Sequence, residues 1–148
     1  MGTRPQRAAC LVASPLMIAA GGAAWAVVTQ QLKAQRIEVP ADSSSHAGKT
    51  VAGPLTAFAQ AVVIEKHALG IARGRTYAEV NDEWLQAARA GDSVRAAELA
   101  ESRQVVMQAN LLRASLFTSV LAYGVSALTI GMGVIVGILG SALDDPSD

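Results

Sequence analysis

Two long runs without a charged residue constrain this chain more than anything else in it. From Ala8 to Leu32 about 25 consecutive positions lack Asp, Glu, Lys and Arg, and about 30 do so from Ala114 to Leu143, where roughly 20 helical residues suffice to cross a ~30 Å hydrocarbon core. Backbone groups in lipid must be satisfied within their own segment, so each run is expected to be a helix, and the alternating strands of a barrel are missing from the pattern. Apolar residues make up 51% of the chain and aromatic ones only 4%, because Ala, Val, Leu, Ile and Gly are gathered into these two blocks. The water-soluble part is therefore smaller than the length of 148 residues implies.

The flanks set topology. Arg4 and Arg7 precede the first run, Trp25 lies near its far end, and Gln30, Gln31 and Lys33 close it. Arg113 stands at the edge of the second run, Phe117 and Tyr123 flank its entry, and Asp144 and Asp145 mark its exit. Ala24-Trp25-Ala26 fits a signal-peptidase site, but the apolar stretch exceeds the usual h-region of about 7–15 residues and continues through Val27 and Val28, so a retained span is expected. The basic N-terminal flank places that end in the cytoplasm, and two spans return the C-terminus to the same side. The expectation is an all-α membrane protein with a small helical extracytoplasmic domain between two transmembrane helices. Its parts are a cytoplasmic flank (1–7), a first span (8–32), an extracytoplasmic domain (33–113), a second span (114–143) and an acidic cytoplasmic tail (144–148). Basic residues are mostly Arg and Ala is abundant, a bias of GC-rich bacterial genomes, which points to a bacterial plasma membrane.

Between the spans, Ile37 to Pro54 carries Pro40, Gly48, Gly53 and the polar string Asp42-Ser43-Ser44-Ser45-His46, and reads as a connecting loop. Pro54 suits a first helical turn, where its missing N–H costs nothing, and Leu55, Phe58, Val62 and Leu69 then recur at helical spacing. Arg73-Gly74-Arg75 breaks that helix. Thr76-Tyr77-Ala78-Glu79 has the spacing of a capping box and opens a helix over Tyr77 to Arg89. Asp92 or Ser93 can cap the next start, and with neither Gly nor Pro from Ser93 to Tyr123, one helix is predicted to run from Ser93 to about Gly140. Its face toward the Leu55 helix is expected to include Val94, Leu99, Val106 and Leu112 or their near neighbours.

Several strings together resemble a family of small actinobacterial two-span membrane proteins that often carry the automatic label of aromatic ring-opening dioxygenase. They are Gly48-Lys49-x-Val51-x-Gly53-Pro54, Gln60-Ala61, His67-Ala68-Leu69, Thr76-Tyr77-Ala78-Glu79, and Asn110 followed by Arg113-Ala114-Ser115-Leu116-Phe117-Thr118-Ser119-Val120. The resemblance implies the two-span topology and a bacterial cell membrane, and brings no catalytic residues with it. The stretch from Ala87 to Ser102 is an insertion relative to shorter members.

The residues argue against that label. An iron site of the two-His, one-carboxylate type needs two imidazoles, and the chain has only His46, in a Ser-rich loop, and His67, next to Lys66. Adjacent Glu65, Lys66 and His67 should point in different directions on a helix and form no cluster alone. Ser43-Ser44-Ser45-His46 has no oxyanion device or orienting partner. Cys10, the single cysteine, has no disulfide or metal partner in view. With 12 basic and 12 acidic residues there is no field to attract nucleic acid. No enzyme activity and no cofactor are expected. Small residues at Gly133, Gly137 and Ser141 in the second span, facing Gly22 and Ala26 in the first, are the sites expected to permit close helix contact. The expected role is that of a non-enzymatic accessory subunit or interaction module in the lipid bilayer, with a membrane-protein partner or a homo-oligomer. The alternative is an extracytoplasmic binder of a small ligand or lipid in the groove beside the Leu55–Leu69 helix.

Overall fold

The computed structural model describes residues 4–143; the acidic tail from Asp144 to Asp148 lies outside the described residues. Among the described residues four helices account for most of the length: α1 (Arg4–Ala34), α2 (Pro54–Ile71), α3 (Tyr77–Arg89) and α4 (Ser93–Ala142). They belong to two compact units, which divide α4 between them. Unit 1 holds the described residues up to Arg36 and those from Ser119 onward, and unit 2 is Ile37–Thr118.

Unit 1 is a pair of long apolar helical segments, α1 and the C-terminal half of α4. Both parent helices are long and apolar enough to cross a membrane. Pro15 sits inside α1 without ending it, and such interruptions are tolerated where a neighbouring helix lies alongside. The two segments run antiparallel, since Gly140 meets Cys10, Gly137 meets Ser14, Gly133 meets Met17 and Ile18, and Gly21 meets Ser126 and Ile130.

Unit 2 begins with a narrow loop closed by a Glu38–Thr50 bridge, with Val51 N–H donating to the Ile37 carbonyl at 2.9 Å and Val39 N–H to Lys49 at 3.0 Å. Val39 and Val51 are almost wholly buried, so this segment, read as a plain connection, also contributes to the interior. Gly48, at φ 70°, takes the left-handed conformation that lets its N–H return to the Val39 carbonyl.

The start of α3 is fixed locally. Thr76 Oγ1 accepts from Glu79 N–H, and Glu79 Oε2 accepts from Thr76 N–H at 2.7 Å, closing the capping box. The bond from Thr76 N–H, and a second in which the Thr76 hydroxyl donates to Glu79 Oε2 at 2.8 Å, hold the Glu79 carboxyl below its ordinary value. At the end of α3, Gly91 (φ 74°) lets Asp92 N–H reach Ala87 and Gly91 N–H reach Ala88, a Schellman turn, and Asp92 Oδ1 then accepts from Arg95 N–H to open α4. From Ser93 the helix is unbroken to Ala142.

The core of unit 2 gathers Ala72, Val80, Ala87, Leu99 and Val106, with Tyr77, Trp84 and Ala96 against them. The packing face of α4 matches the expected one in part: Leu99 and Val106 are buried, but Val94 is 71% and Leu112 55% exposed. At about 100° per residue Val94 lies roughly 140° round the helix from Leu99, and Leu112 about 120° from Val106, so the four could not share a face. The true face continues through Ala109 and Leu116. Helix α2 divides its apolar residues between two sides. Its Leu55, Phe58 and Val62 face outward, while the inward positions are the small residues Ala57, Ala61 and Ala68 with Val63. Ala permits the close approach that larger residues would prevent, so size decided which face turned in.

Candidate functional site

The features that could carry function fall into three places, each within one unit. In unit 1 the seam between the helices is built on glycines and serines, with Met17, Ile18, Ile130 and a Trp25–Tyr123 pair against them. Gly133 and Gly137 lie on it, facing Met17, Ile18 and Ser14. Gly22 has nothing within 4 Å, and Ala26 and Ser141 are exposed, with Ser141 Oγ turned onto the Gly137 carbonyl of its own helix. Gly21 and Gly140 take the places expected of Gly22 and Ser141. The reason is periodicity. Contacts on α4 fall at Tyr123, Ser126, Ile130, Gly133, Gly137 and Gly140, alternating steps of three and four as in a left-handed helix pair, whereas a constant step of four drifts off the seam after one turn. Tyr123, expected to flank the entry to the second span, is buried in this seam. Its ring meets Trp25 edge-on at 4.6 Å between centroids, and its hydroxyl lies 2.8 Å from Thr29 Oγ1.

In unit 2 a cleft of about 170 Å³ opens between α2, the start of α3, and α4. Glu65, Ala68 and Leu69 line it from α2, Thr76 and Tyr77 from the capping turn, and Val106, Asn110 and Arg113 from α4. Arg113 donates to Glu65 Oε2 at 2.9 Å, and its guanidinium stands 5.8 Å from the Phe117 ring. Nothing in the sequence signals the Glu65–Arg113 pair, because its members lie far apart and neither spacing nor composition links them.

The third place is the loop. Asp42 Oδ2 accepts from Lys66 Nζ at 3.0 Å and lies 2.8 Å from His67 Nε2, while Lys66 also donates to the Asp42 carbonyl. Glu65 diverges from its neighbours as expected of adjacent helical residues, but Lys66 and His67 converge, because long side chains from one turn can bend to a shared acceptor outside the helix. Ser43 Oγ donates to the Ser45 carbonyl and serves its own turn. Among the described residues no three of His, Cys, Asp or Glu gather as a metal-binding group.

The hydrogen bond from His67, then that from Lys66, lower the Asp42 pKa from 3.8 to about 2. A depressed carboxylate stabilises the folded state above its unfolded pKa and loses that contribution as pH falls through the folded one, so this clasp holds above pH 3.8 and is gone below about 2. Carboxyl-carbon NMR of the detergent-solubilised protein should show an Asp42 midpoint near 2, moving toward 3.8 in a Lys66→Ala, His67→Ala double variant. A wild-type midpoint already at the upper value would remove the clasp.

No family model, curated protein or solved structure matches this chain.

Proposed function

We propose that the chain is a two-span integral protein of a bacterial plasma membrane, of the kind its resemblance implies, with both termini in the cytoplasm. It acts without catalysis, as an accessory subunit or interaction module that presents unit 2 to a membrane or envelope complex. The observation supporting this most is the inside-out arrangement of unit 1. Ser14, Gly21, Ser126 and Gly133 are buried between the helices, whereas Leu16, Leu121, Leu128 and Ile138 are each more than half exposed. In water that surface would be a far larger apolar patch than a soluble monomer tolerates; in lipid, small residues inside and aliphatic ones outside are the ordinary pattern.

Topology is tested by reporter fusions: one placed after Asp148 is active only if it works in the cytoplasm, and one near Ser44 only if it works outside. The reverse pattern at both sites overturns the orientation, and a mature N-terminus at Val27 would make the first span a cleaved signal. For the interaction role, capture from gently solubilised membranes returns the same large partner repeatedly, and a particle that stays alone in several mild detergents counts against it. Ligand binding is the second reading, favoured by the cleft around Arg113. At about 170 Å³ the cleft is smaller than the roughly 300–1,000 Å³ usual for small-molecule sites.

A further inference from the structure

We propose that the N-terminal half of α2 is itself seated in the lipid interface, with Leu55, Phe58 and Val62 as an anchor that sinks one edge of unit 2 among the acyl chains. This rests on reading the run from Ala114 as a membrane span.

The first support is the face. Leu55, Phe58 and Val62 follow i, i+3, i+7 spacing and are 68%, 51% and 40% exposed, so the first half of the helix turns an apolar stripe away from the core of its own unit. The second is depth. The Phe58 and Phe117 rings meet edge-on at 5.9 Å, Glu65 pairs with Arg113, and Leu69 shares the cleft with Val106. Along α2 these partners ascend while along α4 they descend, so the two helices are antiparallel and keep pace over about 16 Å of rise. Phe117 lies about 6 Å along α4 past Arg113, the last charge before the uncharged run, and Leu55 lies about 4–5 Å further along α2 in the same direction. Entering end-on beside the span, the first turns of α2 therefore reach about 10 Å past Arg113, a depth comparable to the ~5–10 Å by which interfacial helices sink their apolar groups into the headgroup and acyl boundary. The charged residues of α2 begin only at Glu65, level with Arg113.

The third support is the helix start. Lipid penalises unsatisfied backbone donors. Here Ala52 and Gly53 N–H both donate to Thr56 Oγ1, at 3.0 and 3.2 Å, Ala57 N–H reaches the Gly53 carbonyl, and Pro54 has no N–H. An end of this kind tolerates an apolar setting better than an open one.

Depth-dependent quenching tests the proposal, with the full chain in phosphatidylcholine vesicles carrying bromine at known acyl positions. Three reporters are compared: Trp25 alone (Trp84→Phe), Trp84 alone (Trp25→Phe), and a new indole from Phe58→Trp in a Trp25→Phe, Trp84→Phe background. Leu55→Trp in the same background serves if replacing Phe58 disturbs its contact with Phe117. Shallow bromines should quench the Phe58→Trp and Leu55→Trp probes at least about twofold more than Trp84. If both probes behave like Trp84 while Trp25 is quenched, the anchor is wrong and the spans stand. If Trp25 is also unquenched, spans and anchor fall together. Probes that escape quenching but shift to the blue as protein-to-lipid ratio rises would show a second copy covering the face, which also overturns the proposal.

Discussion

Val106→Pro should destabilise unit 2 by about 3 kcal/mol or more, because proline removes a main-chain hydrogen bond from α4 and drives its ring against the carbonyl one turn earlier. Val106 lies in the core with Leu99, Ala72 and Val80, so the kink also draws buried apolar surface into water. Val106→Ala separates the two contributions, since it keeps the helix and removes only packing. Spin labels at Ala96 and Ala114, with Cys10→Ala as background, read the result. In the parent the helical rise gives a narrow distance near 27 Å. The proline variant should broaden and shorten it while the protein still pellets with membranes after alkaline extraction. A parent distribution that is already broad would mean that α4 is hinged near Gln108 to Asn110, and the rod in unit 2 would be lost.

Gly21→Ile should open the helix pair of unit 1 at a cost of roughly 1–3 kcal/mol, the range for overpacking a tight contact. A β-carbon at this position would stand 2.7 Å from Ile130 Cγ1 and 2.8 Å from the Ser126 carbonyl oxygen, and the latter belongs to a helical backbone that has little room to give. Gly22→Ile is the control, because that position has nothing within 4 Å. A disulfide between Ser14→Cys and Gly137→Cys reports the pairing: the two β-carbons would lie 3.3 Å apart, close to the ~3.5–4.5 Å that the bond spans. Cross-linking in a Cys10→Ala background should slow at least about fivefold with Gly21→Ile, as expected from 1 kcal/mol or more. It should be unchanged with Gly22→Ile. Equal rates in the two variants would show that the seam does not pass through Gly21.

The two substitutions mark where sequence reasoning succeeded and where it ran out. The helices of unit 2 were legible from local chemistry: Pro54 at a first turn, the Thr76–Glu79 box, Asp92 at the start of α4, and the absence of any breaker after Ser93. The general location of close helix contact was legible too, since glycine recurs near the end of the second run. The faces were not. For α2 the spacing of Leu55, Phe58, Val62 and Leu69 marks a helix but not which side turns in, and size mattered more than hydropathy: Ala57, Ala61 and Ala68 turn inward while Phe58 stays out. In α4 the buried face runs through Leu99, Val106, Ala109 and Leu116, and helical phase keeps Val94 and Leu112 off it.

The charged contacts divide along the same line. Interactions within a turn or two, such as Thr76 with Glu79 or Arg95 with Glu98, follow from spacing alone. Arg113 with Glu65, Lys66 and His67 with Asp42, and Arg103 over the Trp84 ring depend on which helix lies beside which. By itself the sequence determined two helices built around long uncharged runs, the caps of a small helical unit and the continuity of α4, because each depends on neighbours within a few residues or on solvent. Only the tertiary structure decided that Gly21 and Gly140, rather than Gly22 and Ser141, form the seam. A shift of one residue turns a helical side chain by about 100°, and no local interaction selects between the two positions until a partner helix is in place.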